Sequence, residues 1–98
     1  MTRILDVRIQ GDSMWPTFFD GQLLQFTEVH ATTRLEAGDV VLAHHPLKKE
    51  VLLVKRIARI EADGRFFLTG DQPDPTATED SHNFGPVAQS GVVARWVG

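Results

Sequence analysis

Ninety-eight residues, 42% hydrophobic and 23% charged, with eight glycines and five prolines, have the balance of one folded domain over 1–98 and leave no room for two. Ten Lys and Arg against thirteen Asp and Glu give a net charge of −3, which supplies no basic field for phosphate backbones and argues against nucleic acid as a partner. With no cysteine, a disulfide framework, a thiolate zinc site and a Cys nucleophile are excluded together, and the chain suits a reducing, cytoplasmic setting.

Hydrophobic alternation along the chain predicts strands. Leu5, Val7 and Ile9 alternate with Asp6 and Arg8, giving a first strand over Ile4 to Ile9. Asp20-Gly21 turns the chain into a second over Gln22 to Phe26, and Gly38-Asp39 into a third over Val40 to His44. After Pro46 a fourth runs from Val51 to Glu61; Asp63-Gly64 then gives the clearest hairpin signal, because both residues tolerate positive φ, and the fifth covers Arg65 to Thr69. A sixth covers Val92 to Val97, and no segment carries a 3.6-residue apolar stripe over three turns. The expected fold is mostly β, a single small barrel-like domain. Residues 70 to 86, with Pro73, Pro75 and Pro86, form a loop long enough to suggest a function. No apolar run nears the ~20 residues that cross a bilayer, and the start Met1-Thr2-Arg3-Ile4-Leu5-Asp6 has no signal-peptide stretch, so the chain reads as soluble and without a membrane anchor.

Two residues draw chemical attention. In Gly11-Asp12-Ser13-Met14-Trp15-Pro16-Thr17, Gly11 lets the backbone turn out of the first strand and Pro16 stiffens the exit, which exposes Ser13. None of His30, His44, His45 and His82 stands in a triad motif that would activate it, and on this motif alone a serine capping a short helix is the simpler reading. Alternation from Val51 puts Lys55 on one face with Val51, Leu53 and Ile57, so Lys55 either snorkels from a sheet edge or sits in apolar surroundings. A desolvated ammonium gives up its proton more readily, which is how lysine becomes a general base.

Gly11 to Thr17, Gly38-Asp39-Val40-Val41, Val54-Lys55-Arg56-Ile57, Gly70-Asp71-Gln72 and Asp80-Ser81-His82, in this order, resemble the boxes of the signal peptidase I family of serine proteases. The resemblance implies a β-rich catalytic fold with a Ser/Lys dyad: Ser13 as nucleophile, its backbone N–H as oxyanion donor, and Lys55 as general base. It also implies that Thr78 orients the lysine amine and that Asp71 and Asp80 organise the loop. Where members use a Ser or Thr hydroxyl two residues before the nucleophile, this chain has Gly11, so a second oxyanion donor must come from elsewhere. Gln72 and His82 replace the usual Asn and Arg, and His82 lacks the Arg fork.

Members that process secreted proteins carry an N-terminal anchor, whereas twelve residues precede Ser13 here. The chain therefore looks most like the small soluble members that mature nickel-type superoxide dismutase, and the implied partner is a precursor protein bearing an N-terminal leader. Related self-cleaving modules of repressor and mutagenesis proteins also pair Ser with Lys. They cut an Ala-Gly or Cys-Gly bond upstream of the nucleophile, which Met1 to Asp12 does not contain; Ala37-Gly38 lies downstream. A non-catalytic β-rich binding module is the alternative from another class. A Ser/Lys mechanism requires no cofactor or metal. His44-His45 reads as an exposed pair rather than a metal site, and Asp71, Asp74, Glu79 and Asp80 as a solvated loop. Trp15 and Phe18-Phe19 are core or half-buried residues before they are a substrate patch, and Arg56, facing away from Lys55, is expected to pair with a loop carboxylate.

Overall fold

The computed structural model describes residues 2–74, 76 and 79–98. Alternation becomes six strands: β1 (Ile4–Arg8), β2 (Leu23–Glu28), β3 (Val40–His45), β4 (Lys48–Ile60), β5 (Phe66–Thr69) and β6 (Val92–Trp96), with a four-residue helix α1 (Ser81–Phe84) and a 3-10 turn (Gln89–Gly91) before β6. They form one antiparallel sheet in the order β1-β2-β6-β3-β4-β5. The last strand in sequence therefore closes the middle of the sheet, between β2 and β3.

Strand β3 is apolar at successive positions because both of its faces are covered. Val41 and Ala43 join one core cluster with Leu35, Ile57, Phe66, Leu68, Val87 and Val92, while Val40 and Leu42 join the other with Ile9, Met14, Phe18, Phe26 and Ala94. The β4–β5 hairpin turns where Asp63-Gly64 predicts: Glu61 N–H donates to Arg65 C=O, and Gly64 takes φ +88, which a residue without Cβ adopts at no steric cost. The β3–β4 turn is tighter, with His45 paired to Lys48 across Pro46-Leu47.

In a flat sheet, β1 and β4 would lie about 19 Å apart, four inter-strand spacings. Here residues of both line a single cavity of about 430 Å³. The sheet thus curls until its first strand faces its fourth, which is the barrel-like character expected, and the residues between them meet at one site. Among the described residues, no helix is long and apolar enough to cross a membrane.

Candidate active site

Ser13 lies in the turn that leaves β1, not at the head of a helix: residues 13–17 are hydrogen-bonded turn, with Trp15 N–H on Asp12 C=O and Phe18 N–H on Met14 C=O. Gly11 enters the turn at φ +80, and its N–H donates to Asp20 Oδ1. Apolar anchors hold the turn to the sheet. Met14 is 1% exposed, and Phe18 is buried with its ring edge-on to Trp96 at 4.8 Å between centroids. Trp15 and Phe19, by contrast, are 49% and 59% exposed, so the aromatic group divides between core and surface.

The 70s loop grips the same turn. Gln72 N–H donates to Ser13 C=O at 3.0 Å, and Gln72 Nε2 to Asp12 C=O at 3.2 Å. Asp71 accepts Arg56 Nε at 2.9 Å and Nη2 at 2.7 Å, together with the Thr17 hydroxyl at 2.6 Å, while Arg56 Nη1 reaches Gly38 C=O at 2.7 Å. This bidentate pair, with Thr17, holds the Asp71 carboxyl below the usual carboxylate range. Arg56 thus pairs with a loop carboxylate, as its side of the strand predicts. Among the described residues no acceptor takes the Ser13 N–H, which leaves that donor free to face a developing oxyanion.

Lys55 pairs with Val41 in the β3–β4 register and is 2% exposed. The apolar alternative for this lysine is the one the fold realises. Burial pushes its pKa below the ordinary lysine value, against an opposing pull from the Asp80 and Glu79 carboxylates. No carboxylate among the described residues comes within ion-pair distance of its ammonium. Ser13 and Lys55 line the same cavity, with Asp6 to Gln10 of the β1 side, Met14, Leu42, and Leu52 to Val54 of β4.

Asp80 is buried and caps α1: its Oδ1 accepts the His82 backbone N–H and contacts His82 Nδ1 at 2.9 Å, its Oδ2 accepts Gly70 N–H, and its own N–H donates to Asn83 Oδ1. Ser81, also buried, accepts Leu68 N–H at 2.8 Å, docking the helix on β5. Thr78, assigned to lysine orientation by resemblance, lies outside the described residues. The four acidic residues of the loop do not form one cluster. Asp71 goes to Arg56, Asp74 to Thr76, Glu79 to His45 and Asp80 to His82, and no three described His, Asp or Glu side chains converge as a metal site.

Two expectations are corrected: the loop carboxylates are not all solvated, since Asp80 is buried in its helix cap and Asp71 largely covered in its pair with Arg56, and the histidine pair is not exposed as a pair. His44 is exposed, but His45 is 2% exposed: strand alternation puts it on the buried face of Val41 and Ala43, where its ring lies 4.7 Å from that of Phe84. Its partner Glu79 is 34 positions distant, and no local pattern announces the pair.

A curled antiparallel sheet with a hydroxyl and a desolvated amine on one cleft defines a protein built like the Ser/Lys peptidases. A model of the peptidase S24-like family matches residues 4–88, and the chain belongs to that family. The match does not single out the signal peptidase I family or its superoxide dismutase-maturing members. Among curated proteins, none matches the chain.

Proposed function

We propose that the protein is a serine endopeptidase with Ser13 as nucleophile and Lys55 as general base, removing a short N-terminal leader from a precursor protein in a reducing compartment. The observation that carries this reading is the meeting of Ser13 and the buried Lys55 on one cavity. The neutral Lys55 amine takes the Ser13 hydroxyl proton as Oγ attacks the scissile carbonyl, and the Ser13 N–H receives the oxyanion. The tetrahedral intermediate then collapses: the peptide C–N bond breaks and the leaving amine takes its proton from Lys55. A water deprotonated by Lys55 hydrolyses the acyl-Ser13 ester and regenerates the hydroxyl. The nickel-type superoxide dismutase precursor is the first substrate to try, on the resemblance of the Ser13, Lys55 and Asp71 boxes.

The test incubates the protein with leader-bearing precursors and reads the new N-terminus by mass spectrometry. Ser13→Ala and Lys55→Met are each expected to lower the rate at least about 10³-fold while the fold survives. A Lys55→Met protein that still cleaves at the wild-type rate overturns the dyad.

The peptidase S24-like match favours a second reading, a self-cleaving module. Within this chain the Ala37-Gly38 bond is a poor substrate. Gly38 N–H donates to Ile57 C=O at 2.7 Å and Gly38 C=O accepts Arg56, so the residue is pinned to β4. Self-cleavage would proceed at a rate independent of dilution, whereas processing of a separate precursor slows as both are diluted.

A further inference from the structure

Ser13 N–H belongs to the same planar peptide as Asp12 C=O, and in a trans peptide the two point in opposite directions. Whatever holds the oxygen therefore aims the N–H. Two donors hold it: Trp15 N–H at 3.0 Å, from within the turn, and Gln72 Nε2–H at 3.2 Å, from the 70s loop. The backbone N–H of the same Gln72 donates to Ser13 C=O at 3.0 Å and anchors the following peptide. One residue thus grips the peptide planes on both sides of the Ser13 Cα. The Gln72 amide oxygen in turn accepts Asp74 N–H at 3.4 Å, so an acceptor on one side and a donor on the other fix which way the amide faces.

We propose that Gln72 is a positioning residue for the oxyanion donor: its two N–H groups hold the peptides flanking Ser13 and register them to the strand that carries Lys55. The inference rests on the reading of Ser13 as nucleophile. Gln72 follows Asp71, whose carboxylate takes Arg56 Nε and Nη2, and Arg56 follows Lys55 on β4. A bidentate ion pair, one covalent step and two hydrogen bonds therefore run from β4 to the Ser13 peptide. Water can replace the bond to Asp12 C=O, but it brings no tether to β4. Gly11 raises the demand on this link. With no hydroxyl two residues before Ser13, stabilisation of the oxyanion leans on the backbone donor, whose worth depends on its aim.

p-Nitrophenyl acetate tests the site without a leader sequence. Its acetyl carbon bonds to Ser13 Oγ, the hydroxyl proton passes to Lys55, and p-nitrophenolate leaves as the ester C–O bond breaks. Gln72→Met keeps the backbone bond to Ser13 C=O and the side-chain length but has no N–H for Asp12 C=O. Its acylation rate is expected to fall about tenfold, short of the roughly 10²–10³-fold that outright loss of an oxyanion donor costs. p-Nitrophenyl thionoacetate carries sulfur, a weak acceptor, where the ester carries its carbonyl oxygen, so it draws little on the Ser13 N–H, and the variant is expected to keep the wild-type rate on it. An ester rate unmoved in Gln72→Met overturns the proposal. An equal fall on both probes overturns it too, because a displaced nucleophile slows both alike. Should Gln72→Met not fold, Gln72→Glu, which sets a carboxylate in place of the N–H donor at neutral pH, is held to the same two rates. A wild-type protein that releases p-nitrophenolate no faster than Ser13→Ala overturns instead the reading of Ser13 as nucleophile, so the two failures are distinguishable.

Discussion

At the scale of the residue, the site is built on an unfavourable placement. Lys55 would be better solvated almost anywhere else, and its lowered pKa measures the difference. Between that lowered pKa and the ordinary value of 10.5, the unfolded chain holds a proton that the folded chain has released. Stability therefore climbs with pH across this window, and the full cost of burying the ammonium is felt below it. Lys55→Met removes the ammonium while keeping most of the side-chain volume. The variant is expected to melt about 5 °C higher at neutral pH, as about 1 kcal/mol does in a domain of this size, with the difference closing as pH approaches 10.5. Melting curves of both proteins over that range check it, and coincident curves at neutral pH count against the buried ammonium. Part of this placement was legible in the sequence. Alternation put Lys55 beside Leu53 and Ile57, but the choice between a snorkelling and a buried lysine depends on what the opposite strands cover, which no local window contains.

At the scale of the element, the six strands were legible because β1 and β4 alternate with period two and turn residues bound the short apolar runs of the others. The start of β4 was not: Lys48, Lys49 and Glu50 show no apolar alternation and are strand because a two-residue turn returns them against β3. Helix α1 escaped for a similar reason, being four residues long and made by the Asp80 capping box rather than by an apolar stripe. The connection between elements that matters most for Ser13 is the Arg56–Asp71–Thr17 clamp, which joins β4, the 70s loop and the turn that carries Ser13. Asp71→Asn removes the charge and one of the acceptors, and is expected to cost about 2 kcal/mol, the worth of a hydrogen bond to a charged group. The Asp71 pKa is depressed in the folded protein, so its contribution is present above the ordinary 3.8 and is lost as pH falls through the folded value. Urea denaturation of the two proteins at pH 7 and again in strong acid is expected to show a gap at pH 7 that narrows in acid. A gap of the same size at both would mean the clamp acts by shape and not by charge.

At the scale of the whole molecule, the two residues of the proposed dyad stand on parts of the sheet with unequal support. Lys55 faces Val41 on β3, a strand paired on both edges and covered on both faces, whereas Ser13 follows β1, which ends the sheet and, among the described residues, pairs with β2 alone. Cooperative units open in order of their buried contacts, so β3 amides are expected to exchange hydrogen only through global unfolding, while alternate amides of β1 exchange through a local opening of lower free energy. Such an opening carries Ser13 away from Lys55 without unfolding the domain. Peptidase activity is therefore expected to fall at a lower urea concentration than the one that releases β3, and native-state hydrogen exchange measured alongside activity at the same urea concentrations tests the order. If activity and β3 protection are lost together, β1 and its turn belong to the same cooperative unit as the centre of the sheet, and the cleft opens only when the fold does.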